Sequence, residues 1–84
     1  MIYFHTNLDK YKTNCFPNDL KIVPRIGEMV SVVDVFRPHF QKQRLPTSLQ
    51  VKNVTHSERG IFCELWLSEI DAKICKENNV NVFG

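Results

Sequence analysis

The chain has 84 residues, 43% of them hydrophobic and 24% charged, with a formal net charge of +2. This length suits one domain with a small core, and the composition is that of a globular protein and not of a disordered one. The net charge is well below that of a dedicated nucleic-acid-binding protein. No apolar run is long enough to cross a membrane, no export signal begins the chain, and the three cysteines fit no disulfide framework. We therefore expect a cytoplasmic protein in a reducing compartment, with no membrane partner.

The first part of the chain is predicted to be a strand followed by a long loop. Residues 1–5 are apolar and aromatic, which favours a strand. Residues 6–19 are rich in Asn, Asp and Pro, which is typical of a loop, and Tyr11 and Phe16 are expected to anchor that loop onto the body. Residues 20–23 are predicted to add a short extended piece.

The next segment carries the strongest β signal of the chain. Gly27 can adopt the positive φ that a turn before a strand needs, and residues 29–36 are rich in valine. The valines alternate imperfectly, so either both faces of this strand are covered or a bulge changes its phase. Residues 37–46, bracketed by prolines, form a long connection or a short helix.

Two further strands are predicted to form a hairpin. Residues 49–55 make the first, with a bulge near Lys52 and Asn53 where the alternation breaks. Residues 57–60 make a tight turn that ends on a glycine, and residues 61–67 return as a cleanly alternating strand. Its core-facing side chains are expected to be Ile61, Cys63, Leu65 and Leu67. The side chains on its opposite face are Phe62, Glu64 and Trp66.

A short helix and a final strand complete the pattern. Ser68 can cap the helix, Ile70 and Ile74 form its expected buried stripe, and the two asparagines at 78–79 are natural stops. Residues 80–83 are predicted to be the last strand. The chain is therefore predicted to be mainly β, a small and partly open barrel of about five strands with one short helix before the last.

The spacing of these elements resembles a known family. The residues that carry the resemblance are Pro24-Arg25-Ile26-Gly27-Glu28-Met29-Val30, Leu49-Gln50-Val51-Lys52-Asn53-Val54 and Ile61-Phe62-Cys63-Glu64-Leu65. They are similar to small SH3-like β-barrel proteins of bacteria and phages, in which a Pro-x-x-Gly-acid-x-Val turn precedes one strand and a Val-x-x-Val strand follows. The resemblance covers residues 24–83 as the barrel body and leaves 1–23 as an N-terminal strand and loop of the same single domain. It implies an SH3-like fold and no catalytic residue, since many members have no assigned function.

Catalytic and metal chemistry are disfavoured by the residue pattern. No close Cys or His pair exists that would fix half of a zinc site. Three glycines are too few for a phosphate-binding or dinucleotide-binding loop, and no nucleophile signature surrounds Cys15 or Cys75. We therefore expect a non-enzymatic monomer without a metal or a cofactor.

Two surfaces remain as candidates for binding. The favoured interpretation is a protein-interaction module that uses Trp66 together with Phe62, Glu64 and Tyr3, or that uses a strand edge. The opposing interpretation, in which Tyr3, Tyr11 and Phe16 are available to cover Trp66, stays open.

The alternative function is weak nucleic-acid binding through residues 37–46. Cations there would contact phosphates and an aromatic side chain would stack on a base. The residues of this alternative are Arg37, His39, Phe40, Lys42, Arg44, Lys52 and Arg59. The simpler interpretation is a solvated loop that Phe40 and Leu45 attach to the core.

Overall fold

The computed structural model describes residues 1–82 and is mainly β, as predicted. Within those residues four strands form one curled, half-barrel sheet, accompanied by two short helices. In chain order the elements are β1 (Ile2–His5), β2 (Met29–Ser31), α1 (Arg37–Lys42), β3 (Ser48–Ser57), β4 (Gly60–Trp66) and α2 (Glu69–Glu77). Short 3-10 turns occupy Thr13–Cys15 and Asp34–Phe36.

The strands lie in the order β1-β4-β3-β2. β3 and β4 form the predicted antiparallel hairpin, which closes where Ser57 pairs with Gly60, and β2 pairs antiparallel with β3. β1 is parallel to β4, with Tyr3 opposite Phe62. The N-terminal strand therefore completes the sheet by pairing with a strand far along the chain.

The predicted bulge in β3 is confirmed. The register of the β3–β4 ladder shifts between Val51 and Asn53, so Lys52 is the additional residue. The shift places Val54 opposite Cys63, on the buried side of the sheet. The bulge thus restores the phase that the alternation of the sequence had lost.

The core lies between the inner face of the sheet and the long loop of residues 6–19. The inner face is defined by the buried side chains of the strands, which are Phe4, Val30, Leu49, Val51, Cys63 and Leu65. The predicted anchors Tyr11 and Phe16 are both buried, together with Leu8 and Cys15 of the same loop. The loop therefore acts as the second layer of the domain.

The strand predicted for residues 29–36 is too long. β2 ends at Ser31, and the Val33 N–H donates to the carbonyl of Cys15 in the long loop at 2.8 Å. Asp34–Phe36 then forms a 3-10 turn that leads into α1, which confirms the short-helix alternative for the following segment. A hydrogen-bond partner distant in sequence ends this strand, and strand propensity cannot reveal such a partner.

The N-terminal cap predicted for α2 is confirmed, whereas the prediction that Ile70 and Ile74 are its buried residues is wrong. The Ser68 hydroxyl accepts from the Asp71 N–H at 3.2 Å. Ile70 and Ile74 are 73% and 47% exposed, and the buried residue of the helix is Cys75. The helix therefore packs through the side that carries Cys75, where burial of a small thiol replaces the expected burial of two isoleucines.

α2 ends at the predicted asparagines. Asn79 has a left-handed conformation (φ 54°), and the N–H of Val80 donates to the Cys75 carbonyl at 2.9 Å. This is the Schellman arrangement of a helix C-terminus. Of the predicted last strand, residues 80–82 form none and residue 83 lies outside the described residues. Residues 20–23 form no strand either.

α1 also ends in a Schellman arrangement, but its left-handed position is held by an arginine. Arg44 takes the left-handed position (φ 61°), and the Leu45 N–H donates to the Phe40 carbonyl at 2.9 Å. Phe40 and Leu45 are both buried, which confirms that they attach this segment to the core.

Candidate functional site

The strands present an outer face on the side of the sheet opposite the core. Its members follow from the strand register, in which Thr55, Phe62 and Tyr3 lie side by side, as do Asn53, Glu64 and His5. All six are exposed, and Trp66 at the end of β4 is half-buried. We use the term outer face for these seven residues.

Tyr3 and Phe62 form the centre of the outer face. Their rings stack with centroids 5.0 Å apart and planes 18° apart, and their side chains are 40% and 38% exposed. Because the two residues pair in the β1–β4 ladder, backbone hydrogen bonds hold both rings in place. The fold therefore presents a paired apolar surface to solvent.

Gly60 allows β1 to approach this closely. A Cβ at Gly60, which has φ 143°, would lie 2.5 Å from the carbonyl oxygen of Met1 and 3.0 Å from the ring of Tyr3. The Met1 carbonyl in turn accepts from the Ile61 N–H at 3.0 Å. The glycine predicted for the hairpin turn therefore also positions Tyr3.

Trp66 borders a groove at the end of the outer face. The groove has a volume of about 230 Å³, and its lining includes His5, Lys52, Glu64 and Trp66. Of the aromatic side chains predicted as possible covers for Trp66, Tyr11 and Phe16 are buried in the core and Tyr3 stacks on Phe62. The indole is half-buried beside this groove.

The structure brings together the four residues predicted for protein binding. Tyr3, Phe62, Glu64 and Trp66 all belong to the outer face. His5, which lies opposite Glu64 in the β1–β4 ladder, was missed. Its alternation with Tyr3 in a predicted strand was the available signal, but the partner strand of β1 could not be identified from that alternation.

The residues of the nucleic-acid alternative are divided between two places. His39, Lys42 and Arg44 are exposed on or just after α1, whereas Lys52 and Arg59 belong to the β3–β4 hairpin. Phe40 is 1% exposed and stacks on Tyr11 with ring centroids 4.7 Å apart. The aromatic ring expected to receive a base is therefore part of the core.

A second groove, which we call the basic groove, lies where the long loop meets α1. Its volume is about 400 Å³. It is lined by Lys10, Lys12, Asn14, Cys15, Phe36, His39 and Phe40. No local pattern groups the two lysines with His39, because they are distant in the chain.

The thiols of Cys63 and Cys75 have no activating environment. Burial raises the pKa of Cys63, and burial together with the Asp71 carboxylate raises the pKa of Cys75. A raised pKa favours the protonated thiol, which is a poor nucleophile. Among residues 1–82, no group of three or more His, Cys, Asp or Glu side chains is arranged to hold a metal ion.

Comparisons of the chain with protein-family models, with curated proteins and with solved structures find no match. In the described part of the chain, both helices are too short and too polar to span a lipid bilayer.

Proposed function

We propose that this protein is a non-enzymatic interaction module that binds another protein through the outer face of its sheet. The observation that carries the proposal is the stacked pair of Tyr3 and Phe62, which is about two-fifths exposed and continues toward Trp66. Aromatic side chains dominate the energetics of protein interfaces, particularly when polar residues surround them. The domain that carries this face is proposed to be an SH3-like barrel, which the curled sheet and its bulged hairpin support.

The charges around the aromatic pair favour a protein partner. His5 and Glu64 lie side by side and Lys52 borders the groove next to Trp66, so cationic and anionic groups are mixed. Binding to a phosphate backbone depends on clustered cations. A mixed polar rim around exposed rings is the pattern of a protein interface.

The nucleic-acid alternative keeps several exposed cations, although its Arg37 is paired with Asp34, and it lacks its stacking group. His39, Lys42 and Arg44 are exposed, but the ring of Phe40 is buried between other core residues. Binding of single strands draws much of its energy from exposed rings. We therefore keep this alternative as an outcome of the tests below.

The proposal is tested by partner identification followed by quantitative binding. A photo-reactive side chain at position 55 on the outer face is crosslinked in host extract, and the captured partner is then purified and titrated. We expect Phe62→Ala and Tyr3→Ala to weaken binding about tenfold or more each, as at an interface hot spot. Val35→Ala, which removes an exposed apolar side chain outside this face, is the matched control and leaves the affinity unchanged.

The result that would contradict the proposal is unchanged binding by a variant that still folds. If Phe62→Ala keeps the thermal transition of the parent and binds the purified partner equally well, the outer face is not the binding surface.

A further inference from the structure

The basic groove carries positive charge that the protein itself does not neutralise. In the described part of the chain, one ion pair is present, between Arg37 and Asp34 at 3.1 Å. The ammonium groups of Lys10 and Lys12 therefore have no carboxylate partner within residues 1–82. Two lysines around one groove, with the exposed imidazole of His39 beside them as a hydrogen-bonding group, attract an anionic ligand.

The floor of the same groove is apolar. Phe36 is half-buried and packs against the core, while Phe40 and Cys15 are buried beneath it. A ligand that matches this groove therefore has both an anionic part and an apolar part. A volume of about 400 Å³ is at the small end of ligand pockets and suits a few side chains, not a folded domain.

An acidic peptide fits this groove better than a single-stranded nucleic acid. Base stacking needs an exposed ring face. The ring of Phe40 is stacked on Tyr11 and is met edge-on by His39, with centroids 4.7 and 5.3 Å away. The ring of Phe36 packs against the core and is half-buried, so it is only partly open to a base. The carboxylates of an acidic peptide can bind the lysines at the rim of the groove. An apolar side chain between those carboxylates can pack against the apolar floor.

We propose that the basic groove binds an acidic segment of a partner protein. Its carboxylates pair with Lys10 and Lys12 and accept a hydrogen bond from His39, and an apolar side chain between them lies on Phe36. This surface is separate from the outer face, so the inference stands independently of the function proposed above.

The test measures binding of labelled peptides by fluorescence polarisation over a salt series from low to physiological ionic strength. The probe is a short peptide in which Asp and Glu residues flank a leucine. The comparison ligands are the same peptide with Asn and Gln in place of the acids, the same peptide with alanine in place of leucine, and a single-stranded oligonucleotide of equal charge. We expect the acidic leucine peptide to bind most tightly, with affinity that falls as salt rises.

The variants separate a specific groove from general positive charge. We expect the double variant Lys10→Ala/Lys12→Ala to weaken binding about tenfold. Lys73→Ala/Lys76→Ala removes the same charge from exposed positions on α2 and leaves binding unchanged. Both pairs are exposed or half-buried lysines, and equal thermal transitions confirm that both variants fold.

Three results would overturn the proposal. They are no binding of the acidic peptide at low salt, equal losses in the two double variants, and tighter binding of the oligonucleotide than of the peptide. Equal affinity of the leucine and alanine peptides would show that the apolar floor does not contribute to binding. Phe62→Ala leaves peptide binding unchanged, so failure here is distinguishable from failure of the outer-face proposal.

Discussion

The rings of Tyr11 and Phe40 stack nearly parallel, with centroids 4.7 Å apart and planes 6° apart. The Tyr11 hydroxyl also donates to the Pro46 carbonyl at 2.6 Å. One side chain of the long loop thus joins α1 and the segment that follows it. The loop is held by packing and by a hydrogen bond, although it contains no regular strand.

Replacing Tyr11 tests how much this connection contributes. Tyr11→Phe keeps the ring and leaves the carbonyl of the half-buried Pro46 without its donor, so we expect the free energy of unfolding to fall by about 1–2 kcal/mol. Tyr11→Ala also removes the stack on Phe40 and should lower it by about 3–5 kcal/mol. Urea denaturation measures both. A loss for Tyr11→Phe as large as that for Tyr11→Ala would show that the ring contributes nothing.

The stability of the fold should fall in alkaline solution. Burial raises the pKa of Tyr11 above its ordinary value, with Cys75 and Asp71 adding to the increase, and burial raises the pKa of Cys63 and Cys75. The unfolded chain releases these protons at about pH 8.5 for the thiols and about pH 10 for the phenol. Above those values the folded state binds more protons than the unfolded state, so stability is complete below about pH 8 and decreases as pH rises.

Urea midpoints measured between neutral pH and about pH 11 check this prediction. Tyr11→Phe, which has no phenol at this position, should lose less stability above about pH 10 than the parent protein. A parent protein whose midpoint does not change over this range would contradict the assignment of Tyr11 as a buried, protonated phenol.

Gly60 should tolerate a side chain poorly. In Gly60→Ala the new Cβ meets the Met1 carbonyl oxygen at 2.5 Å at a φ of 143°, so we expect a loss of about 2–3 kcal/mol. Gly27→Ala is the matched control, because Gly27 also has positive φ (95°) but has no atom within 4 Å of its Cβ position. Its expected loss is about 1 kcal/mol from backbone strain alone.

Two measurements distinguish these variants. Chemical denaturation gives the losses, and the ring-current shifts of Tyr3 and Phe62 in NMR spectra report whether their stack persists. Equal losses with an intact stack in both variants would mean that the close approach of β1 to Gly60 is unimportant.

Arg44 is expected to be a stabilising site for glycine. It holds the left-handed position at the end of α1 with φ 61°, a conformation that disfavours residues with a Cβ. Arg44→Gly should raise the free energy of unfolding by about 0.5–1 kcal/mol, whereas Arg44→Ala removes the same charge without relieving the strain. Asn79→Gly should gain less, since asparagine tolerates this conformation. Thermal denaturation ranks the three, and a gain for Arg44→Ala equal to that for Arg44→Gly would attribute the effect to charge.

Features that depend on sequence neighbours were predictable. The bulge at Lys52, the cap at Ser68 and the helix end at residues 78–79 each follow from a few adjacent residues. The grouping of Phe62 with Trp66 on one side of β4 follows from strand alternation alone.

Features that depend on distant partners were not predictable. The end of β2 at Ser31 is decided by a bond to Cys15, and the buried side of α2 is decided by what Cys75 packs against. The parallel pairing of β1, which places His5 beside Glu64, has no local signal either. The same is true of the basic groove, whose lysines and histidine come from separate segments.

β1 is held in the described sheet along one side only, by its ladder to β4. An edge strand can open locally while the hairpin of β3 and β4 stays paired. Each such opening separates Tyr3 from Phe62 and dismantles the aromatic pair. A partner that contacts both rings would therefore stabilise the pairing of β1 with β4. We expect such a partner to slow hydrogen exchange in Ile2–His5 more than in Ser48–Ser57. The surface proposed to recognise a partner is thus also the one that the bound partner would keep closed.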